Sequence, residues 1–188
     1  MKKCVVLLLL LLGTGFSNIY APNKIEQETP QALYEKHEKQ RKEDIKQQQI
    51  NLFLLKLGKL ESNNNWQIYN KYGYMGEWQL GEAALRTLGY HDITFKEFKK
   101  NPNIFPPDLQ KEAVIKLMDF NEKRIDKYFS DYIGKSINGV EITKEGLLAA
   151  AHLGGLGSVR KYLYSNGKVN KRDAYKTSIE DYIKHFEE

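Results

Sequence analysis

The chain has 188 residues, enough for one domain with a sizeable core and short of what two usually need. Its formal net charge of +5 is a mild excess, which excludes a nucleic-acid-binding stripe and suits weak attraction to an anionic polymer. Cys4 is the only cysteine, so no intramolecular disulfide framework is open to the chain.

Lys2 and Lys3 precede an apolar run from Val5 to Leu12, and small residues follow near Ser17 and Ala21. That order predicts a signal peptide over residues 1–21 and an exported protein, periplasmic or extracellular. The run is too short to span a bilayer comfortably, so membrane contact is expected only in transit. Cleavage would remove Cys4, and with it any thiol nucleophile or cysteine-based zinc site; loss of Lys2 and Lys3 takes the formal charge from +5 to +3.

From Pro22 the chain turns poor in apolar residues and rich in Glu, Lys and Gln, as in "YEKHEKQRKEDIKQQQ". Residues 22–44 are therefore expected to be a charged spacer or an exposed helix. Ile50, Phe53, Leu54, Leu57 and Leu60 then recur at steps of three and four, which predicts an amphipathic helix facing a core, with Glu61 on its last turn. Asn63 to Asn65 should end it, because asparagine tolerates the left-handed backbone of a helix C-terminus. Trp66 to Gln79 is aromatic, polar and punctuated by glycine, so loops or a small hairpin are expected.

Helical periodicity returns from Glu82 to Leu88 and closes at Gly89. A longer helix should begin near Pro107, where proline suits the first turn and Asp108 the N-terminal dipole. Val114, Leu117, Met118, Ile125, Tyr128 and Phe129 give it a buried face, and Gly134 is expected to end it. Asn138-Gly139 marks a tight turn. Thr143 caps a helix through "EGLLAAAHL" that Gly154 and Gly155 terminate; Ser158 opens another, and Ser178 caps a last one through "IEDYIKHF". The expected architecture is mostly α, with one irregular or β-containing segment after the helix that carries Glu61.

A carboxylate on the last turn of a helix meets the negative end of the macrodipole, which favours the protonated form that a general acid must hold. Around Glu61 in sequence, Gly73 and Gly76 would let backbone approach a ligand, and Gln79 offers an amide that both donates and accepts. Tyr72, Tyr74 and Trp78 offer flat faces for sugar rings, at least one of them being a core residue instead. His37, His91, His152 and His185 show no paired metal-ligand spacing, so neither metal nor cofactor is expected.

Glu61-Ser62, followed by Gly73, Gly76 and Gln79 as G-x-x-G-x-x-Q, resembles the lytic transglycosylase branch of the lysozyme-like superfamily. Ala151 to Gly155, "AHLGG", is similar to the family's A-Y-N-A-G segment. The closing "SIEDYIKHF" is similar to its last motif, in which a tyrosine, here Tyr182, approaches the catalytic glutamate. The resemblance implies a mostly α, lysozyme-like domain over residues 45–188. It implies Glu61 as the catalytic residue, with Ser62, Tyr72, Gly73, Tyr74, Gly76, Gln79, His152 and Tyr182 on the substrate side. The implied substrate is the glycan strand of peptidoglycan, cleaved between N-acetylmuramic acid and N-acetylglucosamine with formation of a 1,6-anhydro ring and without a metal or cofactor. His152 and Leu153 stand where the family has tyrosine and asparagine, and Glu77-Trp78 replace an apolar pair before the glutamine. Two other readings remain open: a hydrolytic muramidase in which Glu77 or Asp92 positions water, and a non-catalytic wall-binding or assembly module. Wall turnover, a cell-envelope secretion apparatus and a phage-derived lysis role all fit as settings.

Overall fold

The computed structural model describes residues 28–187; the expected signal peptide, residues 1–21, and the start of the spacer, residues 22–27, lie outside them. The chain divides between Asp44 and Ile45, where the composition changes. In the first unit the described residues from Pro30 onward are helical and nearly all exposed, so the exposed-helix alternative holds there. With little to bury, this stretch relies on side-chain pairs one turn apart, Gln31 with Glu35, Arg41 with Glu38 and Gln40 with Asp44. Among the described residues no helix is long and apolar enough to cross a membrane.

The helix α1 runs over Pro30–Ser62 and, within the second unit, buries Phe53, Leu54, Leu57 and Gly58. Leu60, expected on that buried stripe, is instead 41 % exposed, because its direction falls to the side of the buried face. Two short strands follow, β1 (Tyr74–Met75) and β2 (Leu80–Gly81), paired antiparallel with Met75 opposite Leu80. They form the small hairpin expected after α1. A short helix, α2 (Glu82–Thr87), then leads to α3 (Phe95–Lys100), a helix not expected from the sequence. Its signal was the Thr94-x-x-Glu97 pattern: the Thr94 side chain accepts from the Glu97 amide at 3.2 Å.

The longest helix of the second unit is α4 (Pro107–Tyr128), which ends at Tyr128 and not at Gly134. Phe129 leaves helical geometry and turns its ring into the core, while Tyr128, expected to be buried, is 56 % exposed. Gly134 instead bonds to Ile142 at the base of a second hairpin, β3 (Ser136–Ile137) with β4 (Val140–Glu141). Its turn is Asn138-Gly139, both with positive φ (56° and 81°), as a hairpin of right-handed twist requires. Among the described residues the fold is thus mostly α with two small β segments, where a single one is expected from the sequence.

Helix α5 (Lys144–Gly154) is buried from Gly146 through Ala151 and packs against α4, α6 (Leu156–Tyr164) and α7 (Ile179–His185). A helix apolar on all sides belongs at the centre. Gly146 and Gly154 lie two turns apart on one face of α5, and a Cβ on them would sit 3.0 Å from Ile183 and 2.7 Å from Ile179, respectively. Their lack of side chains is what lets α7 come close. Gly155, and not Ser158, caps α6; Ser158 is buried and donates to the Gly154 carbonyl at 2.7 Å across the α5–α6 corner.

Ser178 caps α7 with a full capping box: its hydroxyl accepts from the Asp181 amide at 3.1 Å, and the Asp181 carboxylate accepts from the Ser178 amide at 2.8 Å. These bonds hold the Asp181 carboxyl below its ordinary range, so their support is complete at neutral pH and is lost as acid protonates the group. Ser178→Ala is expected to destabilise the protein by about 1 kcal/mol, read as a lower denaturant midpoint with an unchanged slope.

Candidate active site

Glu61 is presented by the last turn of α1, and the chain must reverse sharply behind it. Asn63 and Asn64 both adopt positive φ (58° and 59°), and the Asn64 amide reaches back to the Gly58 carbonyl at 3.0 Å. Ser62, expected on the substrate side, is buried, donates to the Gly58 carbonyl at 3.3 Å and accepts from the Asn65 amide at 2.9 Å. Its hydroxyl is thereby committed to ending the helix.

The β1–β2 hairpin is fastened to the helices by side chains, because two-residue strands offer few ladder bonds. The Trp78 indole donates to the Leu54 carbonyl of α1 at 2.9 Å and its ring is buried. Trp78 is therefore the core member of the aromatic trio. Gln110, from α4, is only 1 % exposed. Its amide oxygen accepts from the Glu77 amide at 2.7 Å, and its nitrogen donates to the carbonyls of Trp66 (2.8 Å) and Phe105 (2.6 Å). Sequence reasoning missed Gln110, since a glutamine on a helix carries no periodic signal.

Gly76 is needed for this arrangement and not for ligand approach. A Cβ there would lie 2.3 Å from the Gln110 amide oxygen, and its φ is +81°. Gly73, with φ +89°, has nothing within 4 Å of a Cβ; it serves the turn alone. Neither glycine lines the cleft described next.

A cleft of about 810 Å³ opens beside the end of α1, within the size range of small-molecule and saccharide sites. Glu61, Tyr72, Tyr74, Gln79, His152 and Tyr182, drawn from five separate segments, all line it. The Tyr182 hydroxyl donates to Glu61 Oε1 at 2.7 Å. Burial, and then the Glu61 charge beside it, push the Tyr182 phenol well above its ordinary range, so it stays a donor. His152 Nε2 donates to the Trp78 carbonyl at 2.7 Å and lies 3.8 Å from Glu61 Oε1. That nitrogen is engaged with backbone and is not turned toward a ligand.

Gln79 sits at φ 47°. Its amide donates to the Gly76 carbonyl at 2.9 Å and accepts from Asn70 at 3.0 Å. Asn70 in turn accepts from the amides of Tyr72 (2.8 Å) and Tyr74 (3.3 Å). Asn70, on the near bank, and Asp173 and Tyr175, on the far bank, line the cleft without having been singled out in the sequence. An asparagine or aspartate two residues before a tyrosine is the available signal, an Asx turn.

The other carboxylates fall into place by environment. Glu77 lies against α1, where a Cβ on Gly58 would come within 2.9 Å of its Oε1. Burial pushes its carboxyl up, with Lys111 opposing, yet neither it nor the exposed Asp92 lines the cleft. Asp173 does line it, and its Oδ1 accepts from the amides of Tyr175 (2.9 Å) and Thr177 (2.8 Å). Among the described residues no three His, Cys, Asp or Glu side chains converge as a metal site.

No protein-family model, curated protein or solved structure matches the chain.

The packing at Gly76 sets an order of costs. Gly73→Ala carries only the left-handed backbone penalty, about 1–2 kcal/mol, whereas Gly76→Ala adds displacement of the buried Gln110 amide and is expected to cost more than about 3 kcal/mol. Paired chemical denaturation curves check the order.

Proposed function

We propose that this protein is a lytic transglycosylase that cleaves the glycan strands of peptidoglycan, with Glu61 as its proton donor and acceptor. The observation that carries the reading is Glu61 itself: a carboxylate lining a cleft of about 810 Å³, with Oε1 held by the Tyr182 hydroxyl at 2.7 Å. Among the described residues Oε2 has no hydrogen-bond partner, which leaves it to face substrate.

In this mechanism Glu61 Oε2 gives its proton to the glycosidic oxygen as the bond to the muramoyl C1 breaks. The same carboxylate then accepts the proton of the muramoyl C6 hydroxyl as that oxygen bonds to C1 and closes the 1,6-anhydro ring. The proton lost in the first step is regained in the second, and no water is consumed. Tyr182 keeps its proton throughout and orients the carboxylate. Tyr72 and Tyr74, about half exposed on one bank, supply ring faces for sugars. Inverting and retaining hydrolases use two carboxylates. The other carboxylate lining the cleft is Asp173, whose Oδ1 is taken up by two backbone amides.

Glu61→Gln preserves shape and the bond from Tyr182 but carries no transferable proton. General acid–base help is worth about 100- to 10,000-fold, and one residue here serves both halves, so turnover is expected to fall at or beyond the upper figure with the fold intact. Tyr182→Phe should lower it by about 10- to 100-fold, the worth of one hydrogen bond to a charged group. Asp173→Asn keeps an oxygen for both amides and should cost far less. Mass analysis of digested sacculi should show anhydromuramoyl ends. Reducing ends formed with solvent water, together with an Asp173→Asn loss equal to that of Glu61→Gln, would replace this reading with a hydrolase.

A further inference from the structure

The cleft has two banks, the loop of residues 68–74 leading into β1 and the loop of residues 171–177 leading into α7. They touch. The rings of Tyr72 and Tyr175 meet edge to face, with centroids 6.1 Å apart and planes at 87°. Both residues line the cleft, and both are largely open to solvent, at 50 % and 66 % exposure, so the contact lies at the mouth and not in the core.

The two tyrosines are mounted alike. Asn70 Oδ1 accepts the amide of Tyr72, two residues on, and Asp173 Oδ1 accepts the amide of Tyr175, also two residues on. A second amide reaches the same oxygen on each bank, from Tyr74 and from Thr177. Each ring therefore projects from a turn closed by its own Asx side chain, and the pair is a feature of the backbone on both sides. Little else holds Tyr175 in place, since its side chain contributes nothing to the buried core.

We infer that Tyr175, by bridging to Tyr72, is a specificity-determining residue that makes the enzyme act from strand ends. The inference rests on the glycan-cleaving reading above. A continuous polymer cannot be laid sideways into a groove whose walls meet; it must pass by its end or part the pair. A free end meets no such obstacle, and successive cuts from it release units of one size.

The test compares wild type, Tyr175→Ala and Tyr175→Phe on isolated, uncrosslinked glycan strands, following product length by mass from the earliest time points. Wild type and Tyr175→Phe, which keeps the ring, should release disaccharide units while the remaining polymer stays long. Tyr175→Ala should produce fragments of intermediate length from the outset, raising their ratio to disaccharide severalfold. Thermal melting should be the same for all three, as the side chain is exposed. Intermediate fragments from the wild type at early times, or an unchanged length distribution in Tyr175→Ala, overturns the inference while leaving the glycan-cleaving reading intact. Failure of the wild type to cut strands at all overturns that reading instead.

Discussion

The bond from Tyr182 to Glu61 joins residues 121 positions apart in the chain, and both residues line the cleft. A phenol buried this deeply keeps its proton and so has one to donate to the carboxylate beside it. A methyl-sized retreat of α7 would break a contact of 2.7 Å. The closeness of α7 is in turn owed to Gly146 and Gly154 on α5, where any side chain would strike Ile183 or Ile179. Small residues in a helix are thus coupled to the orientation of a carboxylate on a different helix.

The near bank of the cleft presents the opposite problem, an irregular segment with more backbone donors and acceptors than two-residue strands can pair. Side-chain amides take up the excess: Gln110 from below, and Asn70 and Gln79 within the loop. Satisfied buried amides are rigid because each lost partner costs the desolvation of the group left behind. The result is a wall in which the backbone amides of Tyr72 and Tyr74 are both bonded to Asn70 although about half of each tyrosine's surface is in water.

Carboxylates of the second unit show how environment divides labour. Glu77 has its carboxyl pushed up by burial, the kind of shift that often marks a site, yet it packs on Gly58 away from the cleft. Its shift belongs to packing. Asp173 lines the cleft, with Oδ1 occupied in closing a turn, and Asp181 commits Oδ2 to a helix cap. Glu61 differs from Asp173 in what holds its bound oxygen, a side-chain hydroxyl from another helix and not the backbone of its own turn.

Local chemistry was legible in the sequence wherever it depends on neighbours along the chain. The apolar period of α1, the two asparagines that end it, the Asn138-Gly139 turn and the caps at Thr143 and Ser178 were all readable, because each is decided within about one turn of backbone. Glu61, Tyr72, Tyr74, Gln79, His152 and Tyr182 could be singled out from their order alone, and the structure gathers them around one cleft. What the order could not reveal were relations across space. Ser62, Gly73 and Gly76 stand at motif positions but serve the backbone and the Gln110 amide, and Trp78 turned into the core. Tyr128 and Leu60 fit the apolar period yet face solvent, because periodicity counts residues while burial depends on which neighbours arrive. Gln110 carries no pattern in the chain, and the Asx turn before Tyr175 reveals a turn but not what its ring will meet. Their parts were decided only when α4 met the hairpin and the two banks of the cleft closed to touching distance, since hydrogen bonds and ring contacts act over a few ångströms of space whatever the separation in sequence.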